Sequence, residues 1–154
     1  MELFRLAVTS RVGRWGVEGT AEGLTRVYMP TERFHTTPDA PSPLRDAAAQ
    51  LGEYFAGTRR HFELSLGDVA ATNFQRDVWS ALRAIPYGEV RTYAQVADQV
   101  RRPRAMRAVG NANHANPWPV VVPCHRVVAR HGLGGYGGGP EVKRFLLELE
   151  GYRA

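Results

Sequence analysis

Residues 92–113 read TYAQVADQVRRPRAMRAVGNAN, and this stretch decides the fold. A capping box, in which Thr92 is followed three residues later by Gln95, predicts the start of a short helix. The Arg-Arg-Pro sequence at 101–103 then predicts a turn before a second helix at about 104–113. Two short helices joined by a tight turn resemble a helix-turn-helix, although an ordinary helical pair in a core gives the same pattern.

The only cysteine, Cys124, follows the apolar run 120–122, which itself predicts a buried strand. A lone cysteine in that position is commonly a small core hydrophobe. Here a proline precedes the sulfur, His125 can act as a base or orienting group, and the positive charge of Arg126 favours the thiolate. This is the surrounding that a nucleophile needs, so we interpret Cys124 as chemical rather than structural.

The sequence predicts neither a metal site nor a cofactor. A structural zinc needs about four Cys, His or carboxylate ligands at short spacings, whereas the histidines other than His125 are scattered. They are His35, His61, His114 and His131. A disulfide within the chain is impossible with one cysteine, and an unpaired thiol is typical of a reducing cytoplasm. We therefore expect a cytoplasmic protein.

Size and charge narrow the function classes further. A chain of 154 residues, 44% of them hydrophobic, can form one ordinary domain or two small ones. No apolar stretch approaches a membrane span, and the opening Met-Glu-Leu-Phe-Arg lacks the regions of a signal peptide. Residues 71–154 hold 12 Lys and Arg against 6 acids, while residues 1–70 hold 8 against 9. A basic half favours a nucleic-acid partner, and a solvated arginine-rich surface produces the same excess.

The first half predicts a small antiparallel sheet followed by one helix. Apolar runs with glycine-bearing turns predict three strands. They are centred on 6–8, 15–17 and 24–28. After a proline-rich loop at 30–43, residues 44–55 carry apolar side chains at three- and four-residue spacing, which predicts a helix ended by Gly57. Alternating apolar residues over 62–66 predict a further strand.

The second half begins with another helix signal. Thr72 and Gln75 form a capping box, and apolar residues follow along one face as far as Ile85. The sequence Pro-Tyr-Gly at 86–88 then predicts its end.

Several motifs occur in a fixed order around the cysteine. They are FQRDVW at 74–79, IPYGEV at 85–90 with TY at 92–93, RAVG at 107–110, NP at 116–117, PCHRVV at 123–128, and GYGGG at 135–139 leading through Lys143 to LLELE at 146–150. In these motifs the chain resembles the O6-alkylguanine-DNA alkyltransferases, single-use repair proteins also called methylated-DNA–protein-cysteine methyltransferases. The likeness covers most of the sequence and is weaker in the first half.

The resemblance implies a direct displacement in which Cys124 takes the alkyl group from guanine O6 in DNA and keeps it. In this family the histidine after the cysteine takes the thiol proton through a bound water, which gives His125 the role of base. An acid near the carboxyl end holds that histidine, which gives Glu150 the role of orienter. Taken without the resemblance, Glu150 is an ordinary exposed charge near a helix terminus.

A methyl group on a stacked base is out of reach, so the resemblance also implies that the target nucleotide is flipped from the duplex. Arg107 is expected to fill the vacated space from the minor groove, and Tyr93 to crowd the neighbouring phosphate and contact the flipped base. Further expected DNA contacts are Thr92, Ala108, Gly110 and Arg126. The small residues of 108–110 would let the backbone approach a groove, although such residues are more often simply packed against a neighbouring helix.

The same resemblance implies a pocket for the flipped base. Its expected residues are Tyr93, Val127, Tyr136, Gly137 and Lys143. Asn116 matches the residue that tethers the recognition helix to the active-site segment, while the alternative is a turn asparagine before proline. Lys143 would assist near the leaving guanine or lie on the surface of a terminal helix. Human-type members carry a serine at Gly137 and bulkier or more basic residues at Asn113 and His114, so the rate and the range of alkyl groups stay open.

The architecture implied is an α/β, ribonuclease-H-like domain over 1–70 and a mainly α, winged helix-turn-helix domain over 71–154. The expected partner is alkylated double-stranded DNA, bound by a monomer that can cluster along it, with O4-alkylthymine as a further substrate. Three rival functions remain: an alkyltransferase-like sensor, which would lack Cys124; a helix-turn-helix regulator with a reactive cysteine; and a cysteine hydrolase.

Overall fold

The computed structural model describes residues 2–152. The chain folds into two compact units, Met1–Val69 and Ala70–Ala154. Both helices and strands are present, so the fold is of the mixed α/β kind. No helix in the described part of the chain has the length and apolar character needed to cross a membrane.

The first unit contains an antiparallel sheet of three strands in the order β1-β2-β3. The strands are β1 (Phe4–Ser10), β2 (Gly13–Thr20) and β3 (Gly23–Tyr28). The register pairs Val8 with Trp15 across the first hairpin and is interrupted by an irregularity after Glu18 in the second. All three predicted strands are confirmed.

One helix, α1 (Ser42–Phe55), packs on this sheet. It buries Leu44, Ala47, Leu51 and Tyr54, the face that the spacing predicted. Trp15 is fully buried and lies 4.9 Å, centroid to centroid, from the ring of Phe55. The helix ends at Phe55, and Gly57, two residues further on, has a φ of +79°, a left-handed conformation that glycine adopts without strain.

The predicted strand at 62–66 is wrong, because this segment pairs only at Leu66, in an isolated bridge with Leu24. The side chain of Gln50 takes the hydrogen bonds that a neighbouring strand would otherwise provide. It donates to the Glu63 carbonyl at 3.1 Å and accepts from the Glu63 amide at 2.9 Å.

The described part of the second unit contains four α-helices and two very short strands. The helices are α2 (Asn73–Arg83), α3 (Tyr93–Gln99), α4 (Met106–His114) and α5 (Pro140–Leu149). Strands β4 (Arg91–Thr92) and β5 (Val127–Val128) pair in parallel. Both capping boxes form, since the hydroxyls of Thr72 and Thr92 accept from the amides of Gln75 and Gln95. Helix α4 starts two residues later than predicted.

The apolar run before the cysteine is buried, as predicted, but it is a turn rather than a strand. Val120 has a φ of +76°, and the Val122 amide donates to the Trp118 carbonyl at 2.8 Å. Prolines at 119 and 123 flank this turn and have no amide hydrogen to give to a sheet ladder. The chain therefore turns tightly just before Cys124.

Candidate active site

Cys124 opens a single 3₁₀ turn, Cys124–Arg126, directly after Pro123. The Cys124 amide donates to the Val122 carbonyl at 2.8 Å, and the Arg126 amide donates to the Pro123 carbonyl at 3.0 Å. These bonds hold the sulfur in place, and the residue is only 5% exposed. The thiol is thus fixed by the backbone on both sides.

His125 lies fully buried beside the cysteine and contacts Glu150, the residue that caps the carboxyl end of α5. Its Nε2 is 2.7 Å from Oε2 of Glu150. An ionised carboxylate can only accept a hydrogen bond, so Nε2 carries the proton of the neutral ring and Nδ1 keeps a lone pair. Nδ1 has no hydrogen-bond partner among residues 2–152. Glu150 therefore fixes the orientation of the imidazole through Nε2, while Nδ1 is left able to accept a proton.

Arg126 holds the same carboxylate from the opposite direction. Its Nε donates to Oε1 and its NH2 to Oε2 of Glu150, at 2.8 and 2.9 Å, while NH1 donates to the Ile85 carbonyl at 2.7 Å. The Gly88 amide adds a bond of 3.2 Å to Oε1. Since Arg126 is buried with all three nitrogens engaged, its geometry does not fit the expected DNA contact. It fits a role in holding Glu150.

These contacts control the ionisation of the buried pair. Burial alone would raise the pKa of Glu150, but hydrogen bonds and charges from His125 and Arg126 outweigh it and hold the pKa far below its usual value. Burial lowers the pKa of His125 despite the neighbouring Glu150. The pair consequently consists of a carboxylate and a neutral imidazole.

Burial raises the pKa of the Cys124 thiol, and contacts with Asn116, Tyr136 and Lys143 offset part of that rise. The cation that favours the thiolate is thus Lys143, where the sequence indicated Arg126. Because the thiol is protonated at neutral pH, a nearby base is needed to remove its proton.

Lys143 is completely buried on α5, so it is not the surface lysine of the alternative interpretation. Its Nζ donates to the carbonyls of Val127 at 2.6 Å and Gly135 at 3.2 Å. Burial lowers the pKa of Lys143 to about 8. This side chain links α5 to β5 and to the glycine-rich loop at residues 132–139, called the glycine loop below.

Two asparagines connect α4 to the segment around the cysteine. Asn116 donates from Nδ2 to the Val122 carbonyl at 2.7 Å and accepts from the Trp118 amide at 3.0 Å, so it braces the turn before the sulfur. Asn113 donates from Nδ2 to the Cys124 carbonyl at 3.3 Å. Asn113 was predicted only as a departure from human-type members, although a polar residue on the buried face of a predicted helix was a signal for a role at the site.

Tyr93 lies between α4 and the glycine loop. A Cβ added at Gly110 would be 3.9 Å from its ring, and one added at Gly134 would be 3.1 Å from its hydroxyl. Burial raises the pKa of Tyr93, and the nearby Cys124 adds to the rise. Tyr93 therefore faces the space beside the thiol, with glycines allowing the close approach on both sides.

The other expected pocket residues differ in how deeply they are buried. Val127 is buried in β5, Tyr136 is half-buried, and Gly137 is exposed. The hydroxyl of Tyr136 contacts the thiol and lowers its pKa. Tyr93, Val127, Tyr136 and Lys143 are therefore linked to the cysteine or its neighbours by contacts.

An exposed basic segment leads into α4. Its arginines are Arg101, Arg102, Arg104 and Arg107. Arg107 forms no ion pair or hydrogen bond with another residue in the described part of the chain. Ala108 and Gly110 are partly exposed on the same helix, and Met106 beside them is a large apolar residue that is 49% exposed. Thr92 is partly exposed, with its hydroxyl accepting from Gln95.

Clusters of three or more His, Cys, Asp or Glu side chains able to hold a metal ion do not occur among residues 2–152.

Comparison with known proteins identifies the family. The model for "6-O-methylguanine DNA methyltransferase, DNA binding domain" matches residues 73–152. A methylated-DNA–protein-cysteine methyltransferase of Mycobacterium tuberculosis is 52% identical over 132 residues, which span 85% of this chain and 78% of the relative. One from Methanosarcina acetivorans is 43% identical, over 92% of this chain and 94% of the relative.

Solved structures show the same likeness over the whole fold. The crystal structure of Mycobacterium tuberculosis OGT in complex with DNA superposes with a TM-score of 0.84 and 47% identity, covering 95% of this chain and 91% of that one. The fold is thus that of the OGT proteins, and the sequence likeness extends through both units. The chain belongs to the methylated-DNA–protein-cysteine methyltransferase family.

Proposed function

We propose that this chain repairs alkylated DNA by moving one alkyl group from O6 of guanine to the sulfur of its own Cys124. The observation that carries the assignment to Cys124 is the buried His125–Glu150 pair beside the only thiol, 2.7 Å between Nε2 and Oε2. Such a pair supplies a base next to a nucleophile whose own pKa is raised. Family membership supplies the reaction, methylated-DNA–protein-cysteine methyl transfer.

In this reaction the Cys124 thiol gives its proton to His125 as the sulfur attacks the alkyl carbon. An S–C bond forms, the C–O bond breaks, and its electron pair stays on guanine O6. The proton taken by His125 balances the one that guanine regains on its ring, so no outside acid is consumed. Glu150 stabilises the transient imidazolium, and the thioether product ends the activity of that molecule.

The DNA surface is proposed to be the α3–α4 pair of a winged helix-turn-helix domain, residues 71–154. Arg107 is exposed and free of protein partners in the described residues, so it can enter the duplex and replace the flipped base. Thr92 precedes α3, and Ala108 and Gly110 lie on α4. All three are partly exposed and would contact the DNA backbone. Tyr93, which faces the thiol, would meet the flipped base.

The base pocket is proposed to lie between Tyr93 and the glycine loop. Val127, Tyr136 and Gly137 would line it, and Lys143 would place positive charge near the leaving guanine. A site that reads mainly ring shape and O-alkyl position would also accept O4-alkylthymine. Asn116 would keep α4 in register with the cysteine during the reaction.

Several finer assignments complete the proposal. Residues 1–70 form a ribonuclease-H-like α/β domain, and the protein acts in the cytoplasm on alkylated double-stranded DNA. It works as a monomer that can cluster along the duplex, without a cofactor. Because phosphate contacts provide most of the affinity, binding should weaken as salt rises.

The decisive experiment measures the intact mass of the protein after incubation with duplex DNA that carries one O6-methylguanine. A gain of one methyl in place of hydrogen, mapped by peptide analysis to Cys124 and stopping at one equivalent, supports the proposal. The Cys124→Ser variant is the control and should show no gain. Selective binding of the damaged duplex without any gain would instead indicate a non-catalytic sensor.

A further inference from the structure

Two residues that adjoin Cys124 each have a buried polar atom without a hydrogen-bond partner in the described part of the chain: Nδ1 of His125, the next residue, and Oδ1 of Asn113, whose amide contacts the Cys124 carbonyl. The two residues are 0% and 6% exposed. Leaving a buried polar atom unpaired is unfavourable, because the atom has lost its water and gained no other hydrogen bond. Because both residues adjoin the same cysteine, one small polar ligand that bound both atoms would satisfy them together.

The orientation of the Asn113 amide is fixed by the cysteine itself. Its Nδ2 is 3.3 Å from the Cys124 carbonyl oxygen, and because a carbonyl only accepts, the nitrogen must face it and Oδ1 must point away. That carbonyl belongs to the peptide group that joins Cys124 to His125. Asn113 consequently lies against the same peptide group that carries the imidazole.

Both unpaired atoms are acceptors, so they cannot satisfy each other. Nε2 of His125 carries the ring proton toward Glu150, which leaves a lone pair on Nδ1, and an amide oxygen never donates. One water molecule has two hydrogens to donate and can accept a third bond from the Cys124 thiol. A water with these three partners fits the usual coordination of buried water.

We propose that Asn113 is a positioning residue whose Oδ1 holds one water molecule between Nδ1 of His125 and the Cys124 thiol. This inference rests on the proposed function. The thiol proton passes to the water oxygen while a water proton passes to Nδ1, so the water is regenerated as the sulfur lone pair forms the S–C bond. Asn113 Oδ1 keeps the other hydrogen of that water and so fixes its direction.

The first test replaces Asn113 with leucine, which has a similar shape and no polar atoms. Asn73→Leu is the matched control, since Asn73 is exposed at the start of α2, outside the proposed DNA surface. Single-turnover transfer from a duplex with one O6-methylguanine is followed between pH 6 and 7.5. Glu150, Arg126 and Lys143 are the charged groups facing His125, and both variants leave them in place.

The wild-type protein and Asn73→Leu should react at a rate that changes little over this range, because the relay removes the proton and Lys143, with a pKa of about 8, keeps its charge. Asn113→Leu should be about tenfold slower at pH 7 and should gain about tenfold per pH unit, because its thiol has to ionise into solvent. An unchanged profile overturns the inference. So does an equal loss at every pH, which indicates a structural role only. If the wild-type protein accepts no methyl group at all, the proposed function fails instead.

The second test needs no variant. A crystal structure of the wild-type protein should show one water within about 3.2 Å of both Asn113 Oδ1 and His125 Nδ1, and in contact with the Cys124 sulfur. A water that touches the sulfur and His125 but lies out of reach of Asn113 would overturn the inference, even if Asn113→Leu failed to fold.

Discussion

The guanidinium of Arg126 donates hydrogen bonds to both oxygens of Glu150, with Nε 2.8 Å from Oε1 and NH2 2.9 Å from Oε2. Such a bidentate contact fixes the orientation of the carboxylate as well as its position. Oε2 is also the atom that faces Nε2 of His125. The orientation of the base beside Cys124 is therefore set by an arginine two residues beyond that cysteine.

Replacing this arginine should destabilise the protein. Arg126→Leu leaves the Glu150 carboxylate buried without its main partner and the Ile85 carbonyl without a donor. Removal of one member of a buried pair costs about 3–5 kcal/mol, and we expect a loss of that order in urea unfolding followed by circular dichroism. Arg144→Leu is the control, because Arg144 is exposed on α5 and its loss should change stability by no more than about 0.5 kcal/mol. Similar losses in both variants would refute the structural role of Arg126.

Glu150 should make stability depend on pH. Its folded pKa lies below the ordinary value of 4.5, so the unfolded chain takes up the proton first as acid is added. The stability that it contributes is therefore complete above about pH 4.5 and is lost as the pH falls further. Gln cannot titrate, so the free-energy gap between wild-type protein and Glu150→Gln should be largest near pH 7 and should shrink in acid.

Urea unfolding at several pH values measures this gap. Glu148→Gln provides the comparison, because Glu148 is an exposed carboxylate on the same helix and its variant should show no pH-dependent gap. A gap for Glu150→Gln that stays constant from pH 7 down to pH 3 would show that the carboxylate is not held ionised by its neighbours.

The close approach of Tyr93 to the glycine loop gives a third prediction. Gly134 has a φ of +77°, and an alanine Cβ there would be 3.1 Å from both the Ala129 amide nitrogen and the Tyr93 hydroxyl, and 3.2 Å from Cε2 of the Tyr93 ring. Gly57 has nearly the same φ, +79°, with nothing within 4 Å of an added Cβ. Backbone strain of about 1–2 kcal/mol should thus accompany both alanine variants, but only Gly134→Ala should also displace Tyr93 and slow methyl transfer several-fold.

A double-mutant cycle tests whether Tyr93 is the cause. The loss of transfer rate on Gly134→Ala should be smaller in a Tyr93→Phe background, because the hydroxyl that makes the close contact is gone. Identical losses in the two backgrounds would exclude the Tyr93 hydroxyl as the group that is displaced.

Features encoded within a few residues of sequence were predictable. The capping boxes at Thr72 and Thr92 form because each hydroxyl needs only an amide three residues away. The antiparallel strands and α1 follow from short-range apolar patterns of the same kind. Cys124 and its neighbour His125 could be singled out because the motif around them is continuous.

Features that depend on distant partners were not predictable in the same way. Arg126 was expected at the DNA, but its partner Glu150 lies 24 residues away along the chain. The segments 62–66 and 120–122 have the apolar character of strands. In the first, the Gln50 side chain forms hydrogen bonds with the backbone of Glu63, and the second is a turn between two prolines. Apolar patterns report burial, and the choice between strand and turn depends on whether a neighbouring strand is available.

Arg107 provides the clearest test of base flipping. It is exposed, and it has no partner in the described residues that its removal would disturb. If it fills the space left by the target base, Arg107→Ala should slow transfer from duplex DNA about tenfold or more, since tenfold needs only ~1.4 kcal/mol of a flipping cost of a few kcal/mol. Transfer from O6-methylguanine supplied as a free base requires no flipping and should keep its wild-type rate. Arg83→Ala, at an exposed arginine of α2, should leave both rates unchanged, and equal losses on duplex and free base in Arg107→Ala would remove the flipping role.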